Sequence, residues 1–263
     1  MSLRKNIGTL IGDVADMGWS FGFAAVRARL RRKMIVVRLP GGASMRVRGG
    51  DSDFSTVRQV FRRGEYKVPV RAVADRISRF YEAIKSAGGV PVIVDAGANI
   101  GAATAWFRWQ FPDAVIVAVE PDPENAALLR ENMRSYSRAI VQEAAIGSGR
   151  GFVDLIESDK SWGIQTQRAE SGCPMMTIDD AVALVENGKL FIAKIDIEGF
   201  ESDLFDDNVG WLDNCKVVYI EPHDWMLPGR ATSRAFQSAV ANRDFEIFIN
   251  GENLIYVKLG ELN

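Results

Sequence analysis

Val92-Ile93-Val94-Asp95-Ala96-Gly97-Ala98-Asn99-Ile100-Gly101 is the stretch on which the reading of this chain turns. A run rich in β-branched residues ends in an acid, a glycine-spaced turn follows at once, and Ala102 to Gln110 then reads as a helix. Strand, tight glycine turn and helix make the opening unit of a nucleotide-binding α/β domain. Gly97 and Gly101 are expected to let backbone approach a ligand where a Cβ would collide, and the helix start offers unpaired N–H groups. The spacing is G-x-x-x-G, with Asn99 adding a polar side chain, so the G-x-G-x-x-G turn that cradles a dinucleotide pyrophosphate is absent.

Downstream, the pattern repeats. Val115 to Val119 reads as a second strand, and Glu120 stands at its carboxyl end, where an acid accepts both hydroxyls of a ribose. Pro123 opens a helix that Ala126 to Tyr136 continues, with Asp122 just ahead of it. Ile140 to Gln142 is a third strand, and Ala144 and Ala145 after it leave room for a flat ring such as adenine; ordinary tight packing explains them equally well. Gly151 to Met176 suggests an inserted hairpin and loop, and Thr177 to Asn187 a helix. Phe191 to Ile197 and Val217 to Ile220 are further strands, followed by a helix near Thr232 to Arg243. Phe245 to Ile249 and Leu254 to Leu259 flank Asn250-Gly251, a strong hairpin signal.

Upstream, residues 34–90 read as a small α+β cap. A hairpin turns at Pro40-Gly41-Gly42, a helix capped by Asp51-Ser52-Asp53 runs to about Arg63, and a second helix spans about Val70 to Ala87. Residues 1–33 form a basic helical head. With 263 residues, 47% hydrophobic, the chain suffices for one large domain, here 91–263, plus such appendages. The net charge of −2 is unevenly spread, since residues 1–38 carry +6 and the remainder −8. For the head, a helix packed on the main domain with solvated arginines is favoured over weak peripheral contact with anionic lipid. A pI near 5.7 argues against nucleic acid. Cys173 and Cys215 alone make neither a disulfide framework nor a zinc site, and no stretch reaches the roughly 18 apolar residues of a membrane span. The chain also lacks a clean secretory signal, so a cytoplasmic protein is expected, with any membrane contact at the inner face.

DAGANIG, EPDPEN, a TIDD segment and KIDIEGFE, in that order, resemble the FkbM family of S-adenosylmethionine-dependent methyltransferases, as does the lead-in DSDF…FRRGEY. The resemblance covers roughly residues 45–258. It implies a class I, Rossmann-like methyltransferase fold: a seven-stranded sheet with one antiparallel strand, which the C-terminal hairpin suits. It also implies O-methylation, commonly of a sugar or polyketide hydroxyl.

The strand-end acids fit that expectation, because S-adenosylmethionine carries a sulfonium and an ammonium. Asp95, Gly97, Asn99 and Gly101 are assigned to its methionine end, with Asp196 beside them. Glu120 goes to the ribose with Asp122 as neighbour, and Ala144 and Ala145 lie near adenine. Methyl transfer needs donor and acceptor aligned and the acceptor's proton removed. His223, the only histidine, is the candidate base, with Asp196 and Glu198 as further catalytic acids facing the cleft by alternation with Ile195 and Ile197. The competing explanations are a loop histidine, and helix capping for the acids. A divalent metal held by residues 196, 198, 221 and 223 is open but unassigned, and oligomeric state is undetermined. Two other functions are weighed: a nicotinamide-dependent oxidoreductase, which lacks its third glycine, and a non-catalytic module that keeps the cofactor fold.

Overall fold

The computed structural model describes residues 12–30, 34–49, 52–157 and 164–260. The first elements are a helix, α1 (Trp19–Leu30), and a hairpin of β1 (Ile35–Arg38) and β2 (Ser44–Val47). Helix α2 (Asp53–Val57) widens into a π turn over Arg58–Arg62, and α3 (Arg71–Ser86) follows. The glycine-turn unit is β3 (Val90–Ala96) and α4 (Ala102–Gln110). Next come β4 (Val115–Val119), α5 (Pro123–Met133), β5 (Ala139–Gln142) and β6 (Ala145–Ile146). The middle of the chain holds β7 (Gly151–Glu157), β8 (Ile164–Ala169), β9 (Cys173–Met176) and α6 (Ile178–Ala183). After β10 (Gly188–Ile195) stand α7 (Glu201–Leu204), α8 (Trp211–Asn214) and β11 (Val217–Ile220). The chain closes with α9 (Arg234–Val240), β12 (Phe245–Asn250) and β13 (Asn253–Lys258).

The main sheet has seven strands in the order β12-β13-β11-β10-β3-β4-β5, and β13 runs antiparallel to both its neighbours while the other pairs are parallel. This is the class I methyltransferase arrangement. The chain steps outward from β3 to β4 and β5, then returns to lay β10 on the other side of β3. That reversal opens a crevice beyond the carboxyl ends of β3 and β10, where open α/β sheets bind ligands. Both faces of β3 are covered: Ile93 joins a core shared with α1, the hairpin, α3 and α4, whereas Val92, Val94 and Ala96 join the opposite core with Ile195 and Ile220. Burial on both sides is why these strands read as continuous apolar runs.

Four local features differ from the sequence expectations. Strand β10 ends at Ile195, so Asp196 and Glu198 leave the sheet, and Glu198 adopts φ 51°. The strand alternation invoked for that pair is therefore absent. The hairpin expected after Gly151 is present as β7 and β8, but the loop expected up to Met176 contains β9, and with β6 these strands make a four-stranded sheet, β6-β9-β7-β8. Helix α6 ends at Ala183, four residues before Asn187, after a capping box between Thr177 and Asp180. Asp53 does not cap α2; its carboxylate accepts from the Arg48 backbone N at 2.7 Å and guanidinium Nη2 at 2.8 Å, and Asp51 lies outside the described residues. Among the described residues, no helix is long and apolar enough to cross a membrane.

Candidate active site

The glycine turn after β3 is shaped by its neighbouring strand. Gly97 has φ 74°, and a Cβ there would stand 1.8 Å from the Asp196 carbonyl oxygen. Gly101 has φ 93°, and its Cβ would meet Leu129 Cδ1 at 2.7 Å and Met133 Cε at 2.9 Å. Protein packing thus demands glycine at 97, and a positive φ with crowding by Leu129 and Met133 favours it at 101. Asn99 takes φ 50°, and its Oδ1 accepts from the Ile100 N at 2.7 Å.

Asp95 is fully buried. Its Oδ2 accepts from Thr104 Oγ1 at 2.6 Å, and Oδ1 lies 3.2 Å from Lys194 Nζ in an ion pair without aligned hydrogen-bond geometry. Lys194 stands directly opposite Asp95 in the β3–β10 register and donates to the carbonyls of Ala96 (3.2 Å) and Gly97 (2.7 Å). Burial alone would lower the lysine pKa, but Asp95, Asp196 and Glu120 outweigh it and hold the ammonium charged. Asp95 therefore reaches the crevice only through Lys194, whose Nζ also lies 3.5 Å from Asp196 Oδ2.

Glu120, just past β4, is buried and accepts from the backbone N of Asn99 (2.7 Å) and of Asp122 (3.0 Å). Burial pushes its pKa up to about 7 against those two bonds. Asp122 is the N-cap of α5, accepting from Asn125 N at 2.7 Å. Ala144 and Ala145 are buried in packing clusters, and Glu143 turns outward to Arg130 at 2.8 Å.

The ends of β10 and β11 bring four carboxylates around one imidazole. His223 is buried, and its Nδ1 lies 2.6 Å from Oε1 of Glu201, which is itself buried in the first turn of α7. Its Nε2 faces Asp196 Oδ1 at 3.6 Å and Glu221 Oε1 at 3.7 Å. Burial alone would lower the imidazole pKa, but the Glu201 bond, helped by Asp196 and Glu221, pushes it up to about 9. Burial and the nearby Asp196 charge push Glu221 up to about 8 and Glu198 to about 7. Glu198 Oε2 and Glu201 Oε2 are buried with no hydrogen-bond partner. Asp196, Glu221 and His223 each offer a ligand atom, all within 4.8 Å of one another, a spacing that a divalent ion can bridge. Beyond His223, Trp225 is 56% exposed with its ring centroid 6.3 Å from the imidazole.

The structure thus gathers Asp196, Glu198 and His223 at one rim and places Asp95, Gly97, Asn99 and Glu120 at the adjoining strand end. Three participants escaped the sequence reading: Lys194, Glu201 and Trp225. Lys194 was visible as a cation inside an apolar strand, a costly placement that implies a buried acid beside it. Glu201 carried no local signal beyond its place in a helix's first turn.

A doubly wound sheet with one reversed strand and an acid-rich rim at its switch point defines an α/β methyltransferase fold. Residues 95–240 match the model of the methyltransferase FkbM domain, and the chain belongs to that family. Over 158 residues it is 28% identical to the 2-O-methyltransferase NoeI of Sinorhizobium fredii, spanning 52% of this chain and 65% of that protein. Over 63 residues it is 36% identical to Methyltransferase 1 of Beauveria bassiana, spanning 24% of this chain and 25% of that protein. Among solved structures, a methyltransferase from Geobacter sulfurreducens superimposes with a TM-score of 0.39 at 15% identity, covering 81% of this chain and 93% of that one.

Proposed function

We propose that this protein is an S-adenosylmethionine-dependent O-methyltransferase acting on a hydroxyl of a sugar ring, in a glycan or another secondary metabolite. The observation that carries the reading is the buried His223 imidazole, tied through Nδ1 to Glu201 and leaving Nε2 toward the rim beside Asp196. Family membership and a 2-O-methyltransferase relative support oxygen as the acceptor atom.

The rim suits a cationic cofactor. Glu198 keeps a buried oxygen without a partner, and burial, helped by the Asp196 charge, raises both Glu198 and Glu221, so a nearby positive charge would relieve all three. S-adenosylmethionine, when bound, supplies an electrophilic methyl group on a sulfonium. The residues that would hold it are the backbone of Gly97 to Gly101 with Asp196 at the methionine end, Glu120 at the ribose and Ala144-Ala145 near adenine. Glu120 is already engaged by two backbone N–H groups, but a carboxylate has about four acceptor positions, so two remain for a pair of hydroxyls.

Glu201 fixes the imidazole tautomer: in the neutral ring, which the pKa of about 9 makes a minor form at neutral pH, Nδ1–H is donated to Glu201 and the Nε2 lone pair can take the acceptor hydroxyl's proton as that oxygen is methylated. Asp196 then stabilises the imidazolium from 3.6 Å. Trp225 offers an exposed flat apolar face next to the base, against which the C–H face of a sugar ring can rest.

Calorimetry with S-adenosylmethionine, S-adenosylhomocysteine and NAD(H) is the first test, followed by methyl uptake into a panel of glycans and polyols with and without chelator. Binding of both sulfur compounds and chelator-resistant turnover are expected. Binding of NAD(H) alone would make it an oxidoreductase, and binding of none would leave an interaction module. Activity lost to chelator and restored by Mg²⁺ or Mn²⁺ would turn Asp196, Glu221 and His223 into metal ligands.

A further inference from the structure

We propose that the outer face of α1 docks this protein onto an anionic lipid bilayer. The helix has two apolar faces, and the rest of the protein covers one of them. Phe21, Ala24 and Ala25 are buried, with the Phe21 and Phe54 ring centroids 4.9 Å apart. Trp19, Phe23 and Val26, at positions i, i+4 and i+7, share the opposite side. Trp19 is 72% and Phe23 67% exposed, and their rings lie 6.3 Å apart. A surface helix ordinarily shows charge opposite its buried stripe, whereas here aromatic rings meet water. Val36, on the strand packed beside α1, adds a further exposed apolar side chain.

Charge identifies the occupant. Residues 1–38 carry +6 and the remainder −8. Arg27 is exposed directly after Val26, and Arg29, Arg31, Arg32 and Lys33 follow in sequence. Two copies meeting through this face would bring like charges together. A bilayer rich in anionic headgroups takes aromatic rings into its interface while pairing Lys and Arg with phosphate, and it repels the acidic remainder, so only this end approaches. The helical segment is anchored for such contact. Just before α1, the buried Asp13 carboxylate bonds Arg58 at 2.7 Å and lies 3.3 Å from Arg62, and Asp16 bonds Arg62 at 2.8 Å.

The test is co-sedimentation of the full chain with vesicles of phosphatidylcholine alone, and of phosphatidylcholine and phosphatidylglycerol in equal parts. Binding to the mixed vesicles, weak on the neutral ones and falling with salt, is expected. Trp19→Ser with Phe23→Ser should weaken it about tenfold or more, and Arg27→Glu by about fivefold or more, with melting temperatures unchanged because all three side chains are exposed. Absence of wild-type binding to the mixed vesicles overturns the proposal whatever the variants do. So does equal binding to neutral vesicles, or full binding by the Trp19/Phe23 variant. A concentration-dependent dimer lost in that variant, without vesicle binding, would give the face to a second copy instead.

Discussion

Replacing Glu201 by Gln removes one charge from the site while keeping the side chain's size. The Glu201–His223 bond is 2.6 Å long, and both partners are buried, so it belongs with charge-assisted bonds worth about 1.5–3 kcal/mol. At 1.36 kcal/mol per pKa unit, its loss should bring the imidazole from about 9 down by about 1–2. Because His223 is the only histidine, its ring resonances in a proton NMR titration need no assignment. The same change frees the tautomer, since a Gln amide can present either its N–H₂ or its carbonyl to Nδ1. Turnover should therefore fall by about 10²-fold or more with cofactor affinity retained. An unchanged imidazole pKa would refute the coupling inferred from the geometry. A lowered pKa with full turnover would leave the coupling intact and remove His223 as the base.

The remaining predictions concern the loops, the rim and pH. Gly97→Ala should destabilise by about 3 kcal/mol or more, lowering Tm by roughly 6–12 °C, because its Cβ meets the Asp196 carbonyl at positive φ; a wild-type melting curve would contradict the packing described. Glu120→Ala should cost about 2–5 kcal/mol by orphaning the backbone N–H groups of Asn99 and Asp122, as well as weakening cofactor binding, so loss of affinity at unchanged stability is the outcome to look for against it. Trp225→Ala should raise KM for a glycan acceptor by about tenfold with kcat nearly kept, while Trp225→Phe recovers most of it; an effect confined to kcat would deny it a role in acceptor binding. Glu120 and Glu198 (raised from 4.5 to about 7), Glu221 (to about 8) and His223 (from 6.5 to about 9) all have folded pKa values above their unfolded ones. Their contribution to stability is present below the unfolded values and lost as pH rises through the folded ones, so Tm should decline from about pH 5 to 9 while kcat/KM for the free enzyme climbs toward pH 9. A stability maximum at pH 8 would mean these groups are not crowded as described.

Much of the sheet was legible because its central strands are buried on both faces and so spell continuous β-branched runs. Val115–Val119, Val217–Ile220 and helix Ala102–Gln110 fall where the pattern puts them. The rim was legible too, since strand ends mark the crevice and acids stand at them. Pairings across the sheet were not. Asp95 and Lys194 are neighbours only because β10 returns beside β3, and nothing within either segment states that adjacency. The same limit hid Glu201, whose local context suggests a helix-dipole acid although its carboxylate serves His223, 22 residues on. For Gly97, the pattern held no sign of the Asp196 carbonyl beside it, a neighbour that only the fold reveals. In α1 packing on the main domain was anticipated, but the exposure of Trp19 and Phe23 on its outer face was not.

The contact between Gly97 and the Asp196 carbonyl makes two distant segments one mechanical part. The Lys194 ammonium, on the strand leading into Asp196, clamps the Ala96 and Gly97 carbonyls, and no side chain fits between the turns. Neither turn has slack to shift alone. Anyone grafting this site onto another scaffold, or exchanging DAGANIG for a relative's version, would have to move KIDIEG with it as a matched set.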